Sequence, residues 1–114
     1  MNEIVNVFKI LSDETRLRML MILSREELCV CEISNILGVS QPTISKNLSR
    51  LKDLGFVLDQ RRDKYVFYSL NVENTLLNNT LDNIGLLYNQ SQVLINDEKK
   101  LNDGSKRTSK CFTN

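Results

Sequence analysis

The stretch "SQPTISKNLSRLKDLGFVLDQRRDKYVFYSL", residues 40–70, decides the fold, because its hydrophobic period changes once along its length. Ser40 is a favourable N-cap, and Pro42 follows in the first turn, where a missing N–H costs nothing. Gly55 is a typical helix end. Between them, apolar residues recur at the spacing of one helix face: Ile44, Leu48 and Leu51. The first half of the stretch is therefore a predicted helix.

The second half of the stretch has the period of β-structure. Val57 and the run Tyr65–Tyr68 are separated by the polar segment "QRRDK". β-branched and aromatic residues on both sides of such a segment are typical of two strands joined by a turn. A small β-hairpin with a basic turn is therefore predicted directly after the helix.

A shorter helix precedes this unit. The segment from about Cys29 to Leu37 has helical spacing and stops at Gly38. Two helices joined by a short turn and followed by a basic hairpin form a winged helix-turn-helix. The predicted fold class is therefore mainly α with a small β-hairpin.

The flanking segments complete the predicted domain. A first amphipathic helix is indicated by Ile4, Val7, Phe8 and Leu11, and Ser12 is the predicted N-cap of a second. From about Val72 to Ile95 a helical pattern returns as one long helix. We expect residues 1–95 to form one domain and residues 96–114 to form a flexible polar tail that carries Cys111.

Composition narrows the class of protein. The 114 residues carry a net charge of +1 and contain no histidine. Without histidine, a glycine-rich phosphate loop or clustered carboxylates, no catalytic constellation can be assembled, so an enzyme is disfavoured. No segment has the length and apolar character of a membrane span or a signal peptide. Three cysteines cannot all pair within the chain, which favours a reducing, cytoplasmic location.

The predicted recognition helix and hairpin carry the candidate DNA contacts. Between residues 46 and 64, six basic and three acidic side chains leave a local charge of +3. An ordinary solvated face would also explain polar residues on this helix; the adjoining turn and basic hairpin favour DNA binding. The candidates on the helix are Gln41, Thr43, Ser45, Lys46 and Arg50, and those on the hairpin are Arg61, Arg62 and Lys64.

Four segments together resemble the ArsR/SmtB family of metal-responsive repressors: "ILSDETRLRMLMIL", "ELCVCEI", "SQPTISKNLSRLKDLGFV" and "RRDKYVFYSL". They lie in the family's order and spacing over about residues 4–70. The resemblance implies an α-α-α-α-β-β-α homodimer that pairs through its first and last helices. It also implies a double-stranded operator, expected to be an imperfect inverted repeat, that is released when a toxic metal binds.

Cys29 and Cys31 are the candidate metal ligands. Packing against the core can explain Cys29, but Cys31 lies on the opposite side of the predicted helix. Residues at i and i+2 are about 200° apart around a helix and cannot face one another. One ion held by both thiolates would therefore distort the first turn and disturb the neighbouring recognition helix.

The resemblance extends to the identity of the metal. "ELCVCEI" is similar to the ArsR-type motif that binds trivalent arsenic or antimony, which would act here as an inducer and not as a permanent cofactor. Some members carry a third cysteine where this chain has Ser34. The third ligand would then be Cys111, from its own or the partner chain, unless Cys111 is an incidental tail residue.

The sequence is also compatible with other functions. Cadmium and lead sensors of the family share "CVC" but add N-terminal cysteines, which residues 1–28 lack. A zinc sensor would need histidine, which is absent. A thiol redox sensor would pair Cys29 or Cys31 with Cys111 on oxidation. A winged-helix module that binds acidic proteins through the basic hairpin is the alternative from outside the DNA-binding class.

Overall fold

A computed structural model of the protein describes residues 2–87 and 90–103. The winged helix-turn-helix fold class is confirmed, with a small antiparallel sheet among helices. Within the described ranges, no helix is long and apolar enough to cross a membrane. The elements are α1 (Asn2–Leu11), α2 (Glu14–Leu23), β1 (Leu28–Cys29), α3 (Val30–Leu37), α4 (Gln41–Asp53), β2 (Val57–Arg62), β3 (Tyr65–Leu70), α5 (Thr75–Gly85) and α6 (Gln92–Asn102).

The recognition helix α4 forms as its sequence predicts. Its N-cap is Ser40, and its predicted inner stripe is fully buried, with each side chain 0% exposed: Ile44, Leu48 and Leu51. At the other end, Gly55 adopts a left-handed φ of 78°, which glycine tolerates without strain. The Gly55 N–H donates to the Lys52 carbonyl and the Phe56 N–H to the Leu51 carbonyl, both at 2.9 Å. This Schellman arrangement closes the helix and directs the chain into β2.

The start of α2 differs from the prediction by one residue. The N-cap is Asp13 and not Ser12, because the Asp13 carboxylate accepts the Arg16 N–H at 3.0 Å. The Ser12 hydroxyl donates instead to the Lys9 carbonyl at 2.7 Å and helps to end α1. Serine and aspartate are both favourable N-caps, so their identity alone could not decide between the two adjacent positions.

The sheet has three strands in the order β1-β3-β2, and β1 was not predicted. β1 pairs antiparallel with β3 through Leu28 opposite Tyr68 and Cys29 opposite Phe67. Two residues are too few to show a strand pattern in the sequence. In the hairpin, Arg62 pairs with Tyr65, so the turn has only two residues and most of the segment "QRRDK" lies in β2. The hairpin of β2 and β3 is the wing of the fold. It is thus connected by β1 to the start of α3.

The last part of the chain forms two helices, and the prediction of one long helix is wrong. α5 ends at Gly85, and α6 begins after Ser91, whose hydroxyl accepts the Leu94 N–H at 3.4 Å. α6 packs on α2 and α3 and buries Leu101 in the core. The predicted boundary between residues 95 and 96 therefore falls inside α6, and the packed domain extends to Asn102. Apolar spacing alone could not reveal the break, because both helices keep the same period.

A buried ion pair fixes α6 on the helix-turn-helix. The Arg18 guanidinium donates from Nε and Nη2 to the two carboxylate oxygens of Asp97, both at 2.9 Å. Nη2 also donates to the carbonyl of Leu37, the last residue of α3, at 3.0 Å. The hydrogen bond to Asp97 raises the pKa of Arg18 against the opposing effect of burial. Since Asp97 is only 2% exposed, this pair holds α2, the end of α3 and α6 together.

Candidate nucleic-acid interface and thiol site

The exposed side of α4 carries the predicted helix contacts. All five predicted side chains are exposed and lie outside the buried stripe: Gln41, Thr43, Ser45, Lys46 and Arg50. Two hydrogen bonds order the start of this surface. The Ser40 hydroxyl donates to the Thr43 hydroxyl at 3.0 Å, and Asn47 donates to the Thr43 carbonyl at 3.0 Å. Amide, hydroxyl and ammonium groups in this arrangement can donate to base edges or phosphates.

The wing carries the other three predicted contacts, but one of them is already engaged. Arg61, Arg62 and Lys64 are all exposed. The Arg62 guanidinium forms an ion pair with Glu27, including an Nη2–Oε2 hydrogen bond of 3.0 Å, and lies 5.1 Å from the centre of the Phe67 ring. The Glu27 hydrogen bond raises the pKa of Arg62. Part of the Arg62 charge is therefore compensated within the protein, which its place in a basic segment did not reveal.

A second surface ion pair fixes the wing on the recognition helix. The Lys52 ammonium on α4 donates to the Asp59 carboxylate on β2 at 2.9 Å. This hydrogen bond raises the pKa of Lys52. Because the two residues belong to different elements, the pair aligns the hairpin with one flank of α4.

Cys29 lies at a junction and not inside a helix. It ends β1 and is the N-cap of α3, with extended backbone at φ −91° and ψ 170°. Its sulfur accepts the Glu32 N–H, and the Glu32 carboxylate accepts the Cys29 N–H at 3.1 Å. This is a capping box in which sulfur replaces the usual hydroxyl. The expectation that Cys29 and Cys31 share one helix is therefore wrong, and the angle between helical positions does not describe the pair.

Burial controls the chemistry of the Cys29 thiol. The residue is 5% exposed, and desolvation raises the pKa of the thiol, although the Glu32 N–H opposes this shift. Glu32 itself is 1% exposed and was missed as a site residue. The sequence signal that could have revealed Glu32 is the spacing Cys-x-x-Glu. It matches the Ser/Thr-x-x-Glu pattern of a capping box, with a cysteine at the first position. Cys29 and Glu32 thus form one buried unit.

Cys31 occupies the first turn of α3, half-buried and disulfide-bonded in this structure. The Asn35 amide donates to its sulfur at 3.7 Å. Cys111, the predicted third ligand, lies outside the described residues. Among the residues that are described, histidine, cysteine and carboxylate groups form no cluster of three or more able to hold a metal ion.

The sequence around the helix-turn-helix matches a known family. Residues 13–58 match the model of the arsR family of bacterial regulatory proteins. Over a longer range, 101 residues are 31% identical to the arsenical resistance operon repressor of Staphylococcus aureus, and the match covers 89% of this chain and 95% of that protein. The chain belongs to the arsR family. The resemblance of its four segments to ArsR/SmtB repressors is confirmed.

Other curated relatives in the arsR family are more similar over shorter ranges. ArsR1, an arsenic resistance transcriptional regulator of Pseudomonas putida, is 47% identical over 68 residues, which cover 59% of this chain and 53% of that protein. A cadmium resistance regulatory protein, a CadC homologue of Staphylococcus aureus, is 44% identical over 73 residues, covering 63% of this chain and 60% of that protein. The chain thus spans little more than half of these relatives. Their names describe transcriptional regulators and not enzymes.

Solved structures of similar proteins have the same fold. Reduced HlyU from Vibrio cholerae superposes with a TM-score of 0.68 at 30% identity, over 80% of this chain and 90% of that one. The antimony-specific transcriptional repressor AntR superposes with a TM-score of 0.69 at 27% identity, over 80% and 81%. Both matches cover most of the chain.

Proposed function

We propose that this protein is a DNA-binding transcriptional repressor that leaves its operator when trivalent arsenic or antimony binds its cysteine thiolates. The observation that carries the proposal is the position of Cys29, which belongs both to the sheet of the wing and to the capping box of α3. A ligand that takes its sulfur acts directly on two elements that position α4. Arsenic and antimony relatives in the family support the choice of ion.

The proposed switch acts through the cap of α3. In the reduced protein, trihydroxyarsenic exchanges hydroxyl groups for cysteine sulfurs, and each thiol proton leaves with a hydroxyl as water. A sulfur bonded to arsenic and drawn towards Cys31 is no longer placed to accept the Glu32 N–H. The first turn of α3 then loses one capping interaction, and capping interactions contribute about 1 kcal/mol each. Because α3 packs on α4, the population shifts away from the DNA-binding arrangement.

The third sulfur is proposed to come from Cys111, of the same or the partner chain. Ser34, which stands where some relatives carry a cysteine, donates its hydroxyl to the Val39 carbonyl at 2.5 Å. This hydrogen bond spans the turn between α3 and α4, so Ser34 stabilises the turn of the helix-turn-helix. A trigonal arsenic ion needs a third sulfur, and Cys111 is the remaining cysteine of the chain. Cadmium or lead, which also bind thiolates, remain alternatives.

The proposed assembly is a homodimer on an imperfect inverted repeat of double-stranded DNA in the cytoplasm. Large apolar side chains are exposed on α1 and just after α5; Phe8 of α1 is 63% exposed, and Ile4, Leu86 and Leu87 are also exposed. Contiguous exposed apolar residues mark interfaces between proteins. α1 packs beside α5, the first of the two helices into which the predicted last helix divides. Pairing through this side would cover the exposed apolar residues and present two α4 helices to matching half-sites.

The test is an arsenite titration of reduced protein bound to labelled DNA from upstream of its own gene. We expect specific DNA binding without arsenite and release of the DNA when arsenite or antimonite is added. Zinc is the control, and the protein should stay bound to the DNA when zinc is added. Binding that survives saturating arsenite would contradict the proposed inducer. Failure to bind any DNA would favour the protein-interaction module.

Lys46 provides the specificity control for that assay. Lys46→Ala should weaken operator binding by roughly 1–3 kcal/mol while changing binding to unrelated DNA much less, as expected for a base contact. Fluorescence anisotropy with operator and scrambled duplexes measures both. An equal loss for the two duplexes would place Lys46 on a phosphate instead.

A thiol redox sensor is the second candidate, because Cys31 is disulfide-bonded in this structure. This candidate predicts that an oxidant releases the operator without arsenite and that a reductant restores binding. The arsenite proposal predicts release while excess reductant is present. The two are therefore separated by one assay under two redox conditions.

A further inference from the structure

A basic cleft lies between the start of α2 and the recognition helix. Its volume is about 530 Å³, and it is lined by three cationic side chains, Arg16, Lys46 and Arg50, and by the carboxylate of Asp53. Three positive charges against one negative charge make the cleft attractive to anions. Arg16 comes from α2, outside the segment that suggested DNA contacts.

Arg16 is held in place by the end of the preceding helix. Its Nε donates to the Ile10 carbonyl at 3.3 Å, and Nη2 lies 3.5 Å from the Lys9 carbonyl. These carbonyls belong to the last turn of α1, where the helix dipole favours a cation. A guanidinium that is already positioned loses less conformational freedom when it binds an anion.

The cleft and the wing lie on different flanks of α4. Lys52 contacts the wing through Asp59, whereas Arg50 lines the cleft. Two residues apart on a helix corresponds to about 200° around its axis. The exposed side of α4 is therefore bordered by wing residues on one flank and by the Arg16 cleft on the other.

We propose that Arg16 and Arg50 bind the phosphodiester backbone of DNA on the side of α4 away from the wing. The inference rests on the proposed function, in which α4 enters the major groove. That groove is about 12 Å wide, so a helix inside it has a phosphate backbone on each flank. The wing approaches one backbone and the cleft binds the other. Arg16 contributes affinity for any sequence and positions α4 for the base contacts.

The test compares Arg16→Gln with a matched variant, Arg25→Gln. Arg25 lies just beyond the other end of α2, where it pairs with Glu98 at 2.7 Å, and its loss removes the same charge. Binding to operator and to scrambled duplex is measured by anisotropy at several salt concentrations. Arg16→Gln should weaken binding to both duplexes by the same factor and reduce the slope of log affinity against log salt by about 1. Arg25→Gln should retain the wild-type slope.

Asp53→Asn tests the same cleft in the opposite direction. Removing its carboxylate should strengthen binding to both duplexes, with circular dichroism to check the fold. If wild-type protein binds operator but Arg16→Gln keeps its slope, the cleft proposal is overturned and the repressor proposal stands. If Arg16→Gln does not fold, the absence of any gain in Asp53→Asn overturns it. Wild-type protein that binds no DNA would instead overturn the proposed function itself.

Discussion

The two helices of the helix-turn-helix begin in different ways. α4 begins at an exposed serine whose hydroxyl bonds to the Thr43 side chain and makes no hydrogen bond to a backbone N–H. α3 begins at a buried cysteine, with a sulfur and a carboxylate that exchange hydrogen bonds with two backbone N–H groups. The start of α4 therefore depends little on its N-cap side chain, whereas the start of α3 depends on a sulfur that a thiophilic ion can take.

This difference separates the parts of the proposed repressor that read DNA from the part that senses the ion. α4 is held by its fully buried stripe and by the Schellman arrangement at its other end, neither of which involves sulfur. α3 is connected through Cys29 to the wing and through its packing to α4. A ligand at Cys29 can thus alter how α4 and the wing are presented without touching either DNA-facing surface.

The largest expected effect comes from replacing the thiols. Cys29→Ser and Cys31→Ser should each bind operator about as well as wild type and should lose release by arsenite, because a hydroxyl lacks the soft sulfur that the ion requires. Cys29→Ser also keeps an N-cap acceptor opposite Glu32, so α3 should still form. Cys111→Ser is expected to show an intermediate response if the tail supplies the third ligand. Operator release under reducing conditions measures all three.

Full arsenite-driven release by Cys31→Ser would contradict the proposed site. Release by oxidant alone, lost in Cys31→Ser, would identify the redox sensor instead. Circular dichroism of each variant, with and without arsenite, is the control for folding.

The next largest effect concerns the end of α3. Asp97→Asn removes the charge that pairs with Arg18, and breaking one partner of a buried pair costs about 3 kcal/mol of unfolding free energy. Glu98→Gln, one residue further along α6, breaks a more exposed pair with Arg25 and should cost much less. Urea unfolding of the two variants measures the difference. Equal losses would mean that α6 does not hold the helix-turn-helix through Asp97.

α4 and the wing were predictable from the sequence because each carries its own local signals. The stripe of Ile44, Leu48 and Leu51, the proline in the first turn and the glycine at the end all act within the segment that they shape. The family was also recognised, from the resemblance of four sequence segments. Periodicity and local capping signals together were sufficient for α4 and the wing.

The remaining features depend on partners distant in the sequence. β1 exists because Cys29 meets Phe67, and α6 packs where it does because Asp97 meets Arg18. The engagement of Arg62 by Glu27 likewise joins residues far apart in the chain. A helical wheel places Cys29 inside α3, because a wheel assumes a continuous helix and cannot show that a strand ends at Cys29.

A moderate effect is expected from the carboxylate of the capping box. Glu32→Ala leaves the buried Cys29 N–H without this acceptor and should lower the unfolding free energy by about 1–2 kcal/mol. Half-release of operator should then need less arsenite, since less of the cap remains to be broken. Glu32→Gln keeps an acceptor oxygen and should recover most of the stability and the wild-type response. Unchanged stability in Glu32→Ala would show that the capping box does not hold α3.

The smallest effect is expected at the start of α4, where Ser40→Ala removes an N-cap hydroxyl. Such a change commonly costs about 1 kcal/mol, because an N–H loses its acceptor. Here the Ser40 hydroxyl donates to Thr43 at the exposed surface, so the loss should stay below about 0.5 kcal/mol. The arsenite concentration for half-release should not change, because the sulfur of Cys29 and its partner Glu32 are untouched.

Urea unfolding and the anisotropy titration of Glu32→Ala and Ser40→Ala, run side by side, compare the two helix starts directly. A loss of 1 kcal/mol or more in Ser40→Ala would show that both helices depend on their N-caps, and the sensing role would then have to rest on the chemistry of sulfur alone.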